Sequence, residues 1–181
     1  MSKKLIGVTC FLILVLAACG TASTATGSNS SPTQGATSPP TTAATTAPQP
    51  AHTGQTAIQI VQALKMKGLH IGEMFSYTPD NDLNHLLGRP GQYTGKAEFK
   101  DTRISGTETG AAISVSDGGS VEVFATTGDA QHRFAYLQAL STSGNALFAE
   151  YEYLDGVAIL RVSSQFTPTQ AKAYETAFKA I

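Results

Sequence analysis

The chain has 181 residues and a formal net charge of −1, room for one domain with flanking segments. It has no basic footprint of the kind that nonspecific nucleic-acid binding needs. Its 2 cysteines, Cys10 and Cys19, fall near the N-terminus, so the remainder has no thiol for a disulfide, a thiolate metal site or a nucleophile.

The chain opens with a short basic head, Met1-Ser2-Lys3-Lys4. An apolar run follows from Leu5 to Leu16, interrupted by Gly7, Thr9 and Cys10. It is shorter than the roughly 20 residues of a membrane-spanning helix and fits the core of an export signal. The next residues, Leu16-Ala17-Ala18-Cys19-Gly20, resemble the lipobox of bacterial prolipoproteins. The resemblance implies cleavage before Cys19, a diacylglycerol on its sulfur, and acylation of the new N-terminus. Residues 1–18 are then the signal peptide. The resemblance places the mature protein at the outer face of the bacterial cytoplasmic membrane as an expectation, with the outer membrane as the alternative. Each buried methylene contributes about 0.8 kcal/mol, so two or three acyl chains hold where one does not. Removing Lys3 and Lys4 leaves 10 of the 12 basic side chains against 13 acidic ones.

Residues 19–54 are assigned as the lipidated cysteine and a tether. From 20 to 52 the composition is almost wholly Thr, Ala, Ser, Pro, Gly, Gln and Asn. Such a stretch buries too little apolar surface to offset chain entropy and is expected to be disordered. It reaches at most roughly 110 Å and averages about 30 Å as a coil.

Residues 55–181 read as a small domain. Thr56 to Lys67 predicts a helix, from Ile58, Val61 and Leu64 at helical spacing with Gly68 as its C-terminal stop. A short helix is expected around Asp80 to Leu87, closed by Gly88 and Pro90. Tyr93 to Arg103 alternates: Tyr93, Gly95, Ala97 and Phe99 face one way, Lys96, Glu98 and Lys100 the other. Ser105 to Gly110 reads as a loop, and Ile113 and Val115 as a weak edge strand before the Asp117-Gly118-Gly119 turn. Ser120 to Ala125 is a β-branched strand. Asp129 to Leu140 is a helix capped by Thr127 or Asp129, with Ala130, Phe134, Leu137 and Leu140 inward.

Ala146 to Leu154 and Val157 to Ser163 form a hairpin about Asp155-Gly156, with Leu154 opposite Val157 and Glu150 opposite Arg161. One face carries Tyr151, Tyr153, Ala158, Leu160 and Val162, and a Glu150–Arg161 pair is expected on the other. Thr167-Pro168-Thr169-Gln170 spells a capping box with proline in the first turn, opening a last helix with Ala171, Tyr174, Ala177, Phe178 and Ile181 inward. The fold class is α+β: an antiparallel sheet of about four strands, helices on one face, order α-α-β-β-α-β-β-α.

No motif for a nucleophile elbow, zinc protease, phosphate loop or dinucleotide site occurs. His70, His85 and His132 fall in three separate elements, which makes a shared zinc an outside reading. Asp80-Asn81-Asp82 begins like a calcium loop, but His85 and Gly91 stand where Gly and Glu belong, leaving an aspartate cap as the reading. Glu150 and Glu152 share an exposed strand face, where nothing obliges their acidities to shift. No cofactor is implied.

Leu86-Leu87-Gly88-Arg89-Pro90-Gly91-Gln92-Tyr93-Thr94, paired with Gly118-Gly119-Ser120-Val121-Glu122-Val123-Phe124, is similar to small bacterial extracellular lipoproteins to which no activity attaches. The first stretch reads either as a structural turn or as a loop site of Arg89, Gln92 and Tyr93. The outer sheet face gathers Lys96, Phe124, Phe148, Ile159 and Arg161, either an apolar patch with charged neighbours or a second core under a covering element. These residues favour a noncatalytic binding module on a lipid anchor, its partner an envelope protein or small ligand. An envelope structural or assembly factor is the alternative. An enzyme would need a pocket joining His85, Arg89, Asp101 or Arg103.

Overall fold

The structure is a computed structural model and describes residues 48–105 and 112–181. The signal peptide, Cys19, most of the tether and nearly all of the 105–110 loop lie outside the described residues. Three helices and five strands follow in chain order: α1 (Ala57–Met66), β1 (Ile71–Ser76), β2 (Gly95–Asp101), β3 (Gly118–Val123), α2 (Thr127–Ser141), β4 (Glu150–Asp155), β5 (Ala158–Ser163) and α3 (Pro168–Phe178). The strands form one sheet in the order β1-β2-β3-β5-β4, and all neighbours are antiparallel. The α+β class therefore stands, with five strands and three helices.

Capping fixes the helix starts. Thr56 and Gln59 close a capping box at α1, and Thr167 and Gln170 close the one read from sequence at α3. Helix α2 is capped by Thr126, whose side chain accepts from the Asp129 amide; the expected caps, Thr127 and Asp129, lie inside the helix. Helices α1 and α3 bury Ile60, Val61, Leu64, Ala171, Tyr174 and Phe178 against Ala97, Phe99, Val121, Leu160 and Val162.

The expectation of helices on one face is corrected. Helix α2 covers the opposite face, where Ala130 and Leu137 join Leu87, Tyr93, Phe124 and Ile159 in a second core. The sheet is thus sandwiched, and β2 and β3 are buried along both faces.

Two further expectations fail for local reasons. Residues 80–87 form turns instead of a helix: the Asp82 carboxylate accepts the Leu86 and Leu87 amides, and His85 takes φ 52°. A side chain that captures backbone amides competes with helical bonding. Ile113 and Val115 form no strand; a 3-10 turn runs Val115–Asp117, and β1 takes the place beside β2. Strand β1 escaped the pattern because a bulge between Ile71 and Met74 breaks its alternation, placing both residues against the α1 core.

The hairpin is shifted by two residues from the expected register. Asp155 pairs with Ala158, Glu152 with Arg161 and Glu150 with Ser163, so the turn is Gly156-Val157. An even shift preserves the face of every side chain. The cause is upstream: the Val157 amide donates to the Ala51 carbonyl at 3.2 Å, and a Cβ on Gly156 would stand 2.2 Å from that oxygen. Residues 51–54, assigned to the tether, form a turn packed here. His52 is buried and stacks on Phe178 at 4.6 Å.

Gly118 shows how tightly β3 meets β2. A Cβ there would stand 2.4 Å from the Phe99 carbonyl oxygen and 2.5 Å from the Asp101 amide nitrogen, both backbone atoms. Gly118→Ala is expected to destabilise the protein by about 3 kcal/mol, at the upper end of overpacking costs, because the strands must part. Urea unfolding measures it.

Candidate functional site

The sheet face beneath α2 carries the charged positions of the central strands. By alternation these are Lys96, Glu98 and Lys100 on β2, Glu122 on β3, Arg161 on β5, and Glu150 and Glu152 on β4. A charge moved from water into a protein interior persists only when paired and hydrogen-bonded. Here Glu122 is fully buried and accepts Arg133 Nε and Nη2 from α2 at 2.9 and 3.0 Å. Arg161 Nη1 reaches the same carboxylate at 3.1 Å, while its Nε and Nη2 bind Glu150 at 2.8 and 2.9 Å. Burial alone would raise the pKa of Glu122, but the two guanidiniums outweigh it and hold the carboxyl below its usual range. The expected Glu150–Arg161 pair is present, on a ladder diagonal and inside this network.

Glu152 differs. Its carboxyl is pushed up to about 7 by burial and by the neighbouring Glu150 charge, against a pull from Arg161 and Ser141. The expectation of two unshifted surface carboxylates is therefore corrected, since α2 packs over them.

A second cluster surrounds Asp82, which is fully buried. It accepts the Tyr93 hydroxyl at 2.6 Å together with the Leu86 and Leu87 amides, and Lys96 Nζ lies 3.4 Å away. Burial pushes its pKa up, yet these partners hold it down at about 2. Lys96 also pairs with Glu98 at 3.2 Å and covers the Tyr77 ring at 4.2 Å. The Tyr77 hydroxyl donates to Glu98 and to the Ile113 carbonyl. Burial raises Glu98, with Lys96 and Tyr77 opposing.

The candidate binding face therefore disperses. Phe124 is 3% exposed and Ile159 0%, both in the second core, and Phe148 at 44% stands outside it. Arg161 and Lys96 are spent on internal pairs. The apolar patch does not exist as a surface. Within the loop site, Tyr93 is buried, Arg89 is exposed, and Gln92 lines a shallow hollow of about 280 Å³ with Leu86, Gly91, His132, Arg133 and Tyr136. Nor are the four residues of the enzyme reading joined in one hollow: Asp101 is bound by Arg103 and by the Tyr174 hydroxyl at 2.7 Å, in the α3 layer, while His85 and Arg89 belong to the 77–94 segment. Among the described residues, no three His, Cys, Asp or Glu side chains are placed to share a metal ion.

What the structure does form is a cavity of about 400 Å³ lined by Glu73, Phe75, Tyr77, Asn81, Leu83, Ala112 and Ile113. It lies outside strands β1 and β2, beyond the reach of α2. Its walls are mainly apolar, with Phe75 43% and Leu83 77% exposed, and the Phe75 and Tyr77 rings meet edge to face at 5.0 Å. Glu73, paired with Lys100 at 2.9 Å, supplies a charged rim. The sequence reading missed it because it depends on β1. The one available signal was the run Met74-Phe75-Ser76-Tyr77.

No protein-family model, curated protein or solved structure significantly matches this chain.

Replacing one partner of a buried pair strands the other charge. Glu122→Leu is expected to cost about 3–5 kcal/mol in urea unfolding. Adding Arg133→Met should recover part of that loss, because it removes one of the stranded cations.

Proposed function

We propose that the protein is a lipid-anchored extracytoplasmic module that binds a small, largely apolar ligand without chemical turnover, in the cavity outside β1. The observation that carries the reading is the uneven cover of the sheet's second face. Helix α2 seals the β3-β5-β4 side, whereas Phe75 and Leu83 remain exposed around a hollow of about 400 Å³. Ligand sites are concave, mainly apolar and of this size, with a few polar groups that orient the ligand. Glu73 and Asn81 are those groups here.

The anchor rests on the basic head, apolar run and Leu-Ala-Ala-Cys box at residues 1–19. Among the described residues no helix is long and apolar enough to cross a membrane. The noncatalytic reading is supported by the way the buried titratable groups near the cavity are already engaged with each other, Tyr77 with Glu98 and Asp82 with Lys96 and Tyr93.

A neutral fluorescent probe, N-phenyl-1-naphthylamine, tests the cavity. It should brighten on the wild-type protein and bind at least roughly tenfold more weakly to Phe75→Asp, about the 1.4 kcal/mol that partial loss of an aromatic wall costs. Equal binding to both proteins would sink the site. For the anchor, metabolic labelling with an alkynyl fatty acid should mark the wild-type chain. Cys19→Ala should lose the label and leave the membrane fraction, and a variant that keeps both would refute lipidation.

A further inference from the structure

Three carboxylates and two guanidiniums meet under α2, between its midpoint at Arg133 and its end at Ser141. Glu122 takes both nitrogens of the Arg133 fork and one of Arg161, and Glu150 takes the other two nitrogens of Arg161. Neither guanidinium donates to Glu152, although Arg161 stands directly opposite it on the ladder. Its Oε1 is buried without a hydrogen-bond partner. Its Oε2 has only the Ser141 hydroxyl, at 3.4 Å. Ser141 is the last residue of α2, so the nearby backbone is the negative end of the helix dipole, which disfavours an anion.

The charges facing Glu152 are limited in number. Glu150 lies on its own strand, Arg161 on β5, Glu122 on β3 and Arg133 on α2. The other titratable groups of α2, Asp129, His132 and Tyr136, sit further toward its N-terminus. The turn Ala146–Phe148 that leads into β4 contributes none. The tyrosines of β4, Tyr151 and Tyr153, pack in the other core.

We infer that Glu152 is a proton-operated latch: protonated, it lets the end of α2 and the 142–149 segment pack on β4, and ionised, it loosens them. The neutral carboxyl can donate to Glu150, which turns a repulsive pair of anions into a hydrogen-bonded one. Burial and the Glu150 charge place its titration at about 7 instead of the ordinary 4.5. The folded state then holds a proton that the unfolded chain releases, so stability falls as pH rises from 4.5 through 7, the reverse of an ion-paired carboxylate. The segment that loosens carries the exposed Leu147 and Phe148, so the latch governs how an apolar turn is presented.

Carboxyl carbon NMR on the full-length protein reads the proton directly, and amide hydrogen exchange reads the segment. Glu152 should titrate near neutrality. Protection of the Ser141 to Phe148 amides, corrected for intrinsic exchange, should fall roughly tenfold between about pH 6 and 8. Glu152→Gln, which keeps the donor and removes the charge, should abolish that fall. Glu150→Gln should lower the Glu152 midpoint by roughly one unit. The latch is overturned by a Glu152 midpoint in the ordinary carboxyl range, by pH-independent protection in the wild type, by an undiminished fall in Glu152→Gln, or by a midpoint that ignores Glu150→Gln.

Discussion

Glu122 is the pin on which the second face is built. It sits one residue from the end of the central strand with no solvent exposure, and its two oxygens receive donors from a helix above and a strand beside it. Without Arg133 the helix would cover a carboxylate held by Arg161 alone, and without the helix Glu122 would face water as its sequence pattern suggests. A buried pair of this kind gives little net stability compared with a well-packed apolar contact. What it gives is position. A bidentate guanidinium has one good geometry, so Arg133 fixes both the height and the rotation of α2 over the sheet. Helix α2 needs this, because its apolar stripe is thin: only Ala130 and Leu137 are buried along it.

The same fact explains where the sequence was legible. The first face follows the simple rule that alternating apolar residues mark a core. Ala97, Phe99, Val121, Leu160 and Val162 were readable, as were the two helices that seal them, through their capping residues and stripes. The second face breaks the rule. Its alternate positions are Lys96, Glu98, Glu122, Glu150 and Arg161, which a periodicity argument assigns to solvent. Only the partners that neutralise them make burial affordable, and the guanidinium of Arg133 comes from another element. Phe124 and Ile159 did signal a possible second core, and the structure takes that branch. Strand β1 and the Asp82 turn were hidden by different local effects, a bulge that disrupts alternation and a side chain that takes amides which a helix would use.

Covering a sheet with one charged helix leaves an uneven face. The pinned helix lies over β3, β5 and β4, with the Asp82 turn filling the space beside it through Tyr93 and Leu87. Beyond that turn nothing among the described residues fills the hollow bounded by Phe75, Leu83 and Ile113. The cavity is therefore a consequence of how the charges are arranged. Lys96 links the two regions: it pairs with Asp82 and Glu98 and lies over the ring of Tyr77, a wall of the cavity. The ionic layer thus ends at the cavity, and the groups that shape its inner wall are held by the layer behind it.

The entry of the chain into the domain is part of the same construction. Ala51 accepts the Val157 amide, His52 stacks on Phe178 and lies 3.4 Å from Asp155, and Gly156 leaves space for the Ala51 backbone. These contacts move the hairpin turn by one residue, and the cross-strand pairing by two, from the position that Asp-Gly alone would choose. The shift sets Arg161 opposite Glu152 and leaves Glu150 on the diagonal. Had the turn fallen at Asp155-Gly156, Arg161 would stand directly opposite Glu150 and Glu152 would face Ile159. The residues that join the domain to whatever precedes it thereby set Glu152 opposite a guanidinium already bound to Glu150 and Glu122, where the other register would set it opposite Ile159.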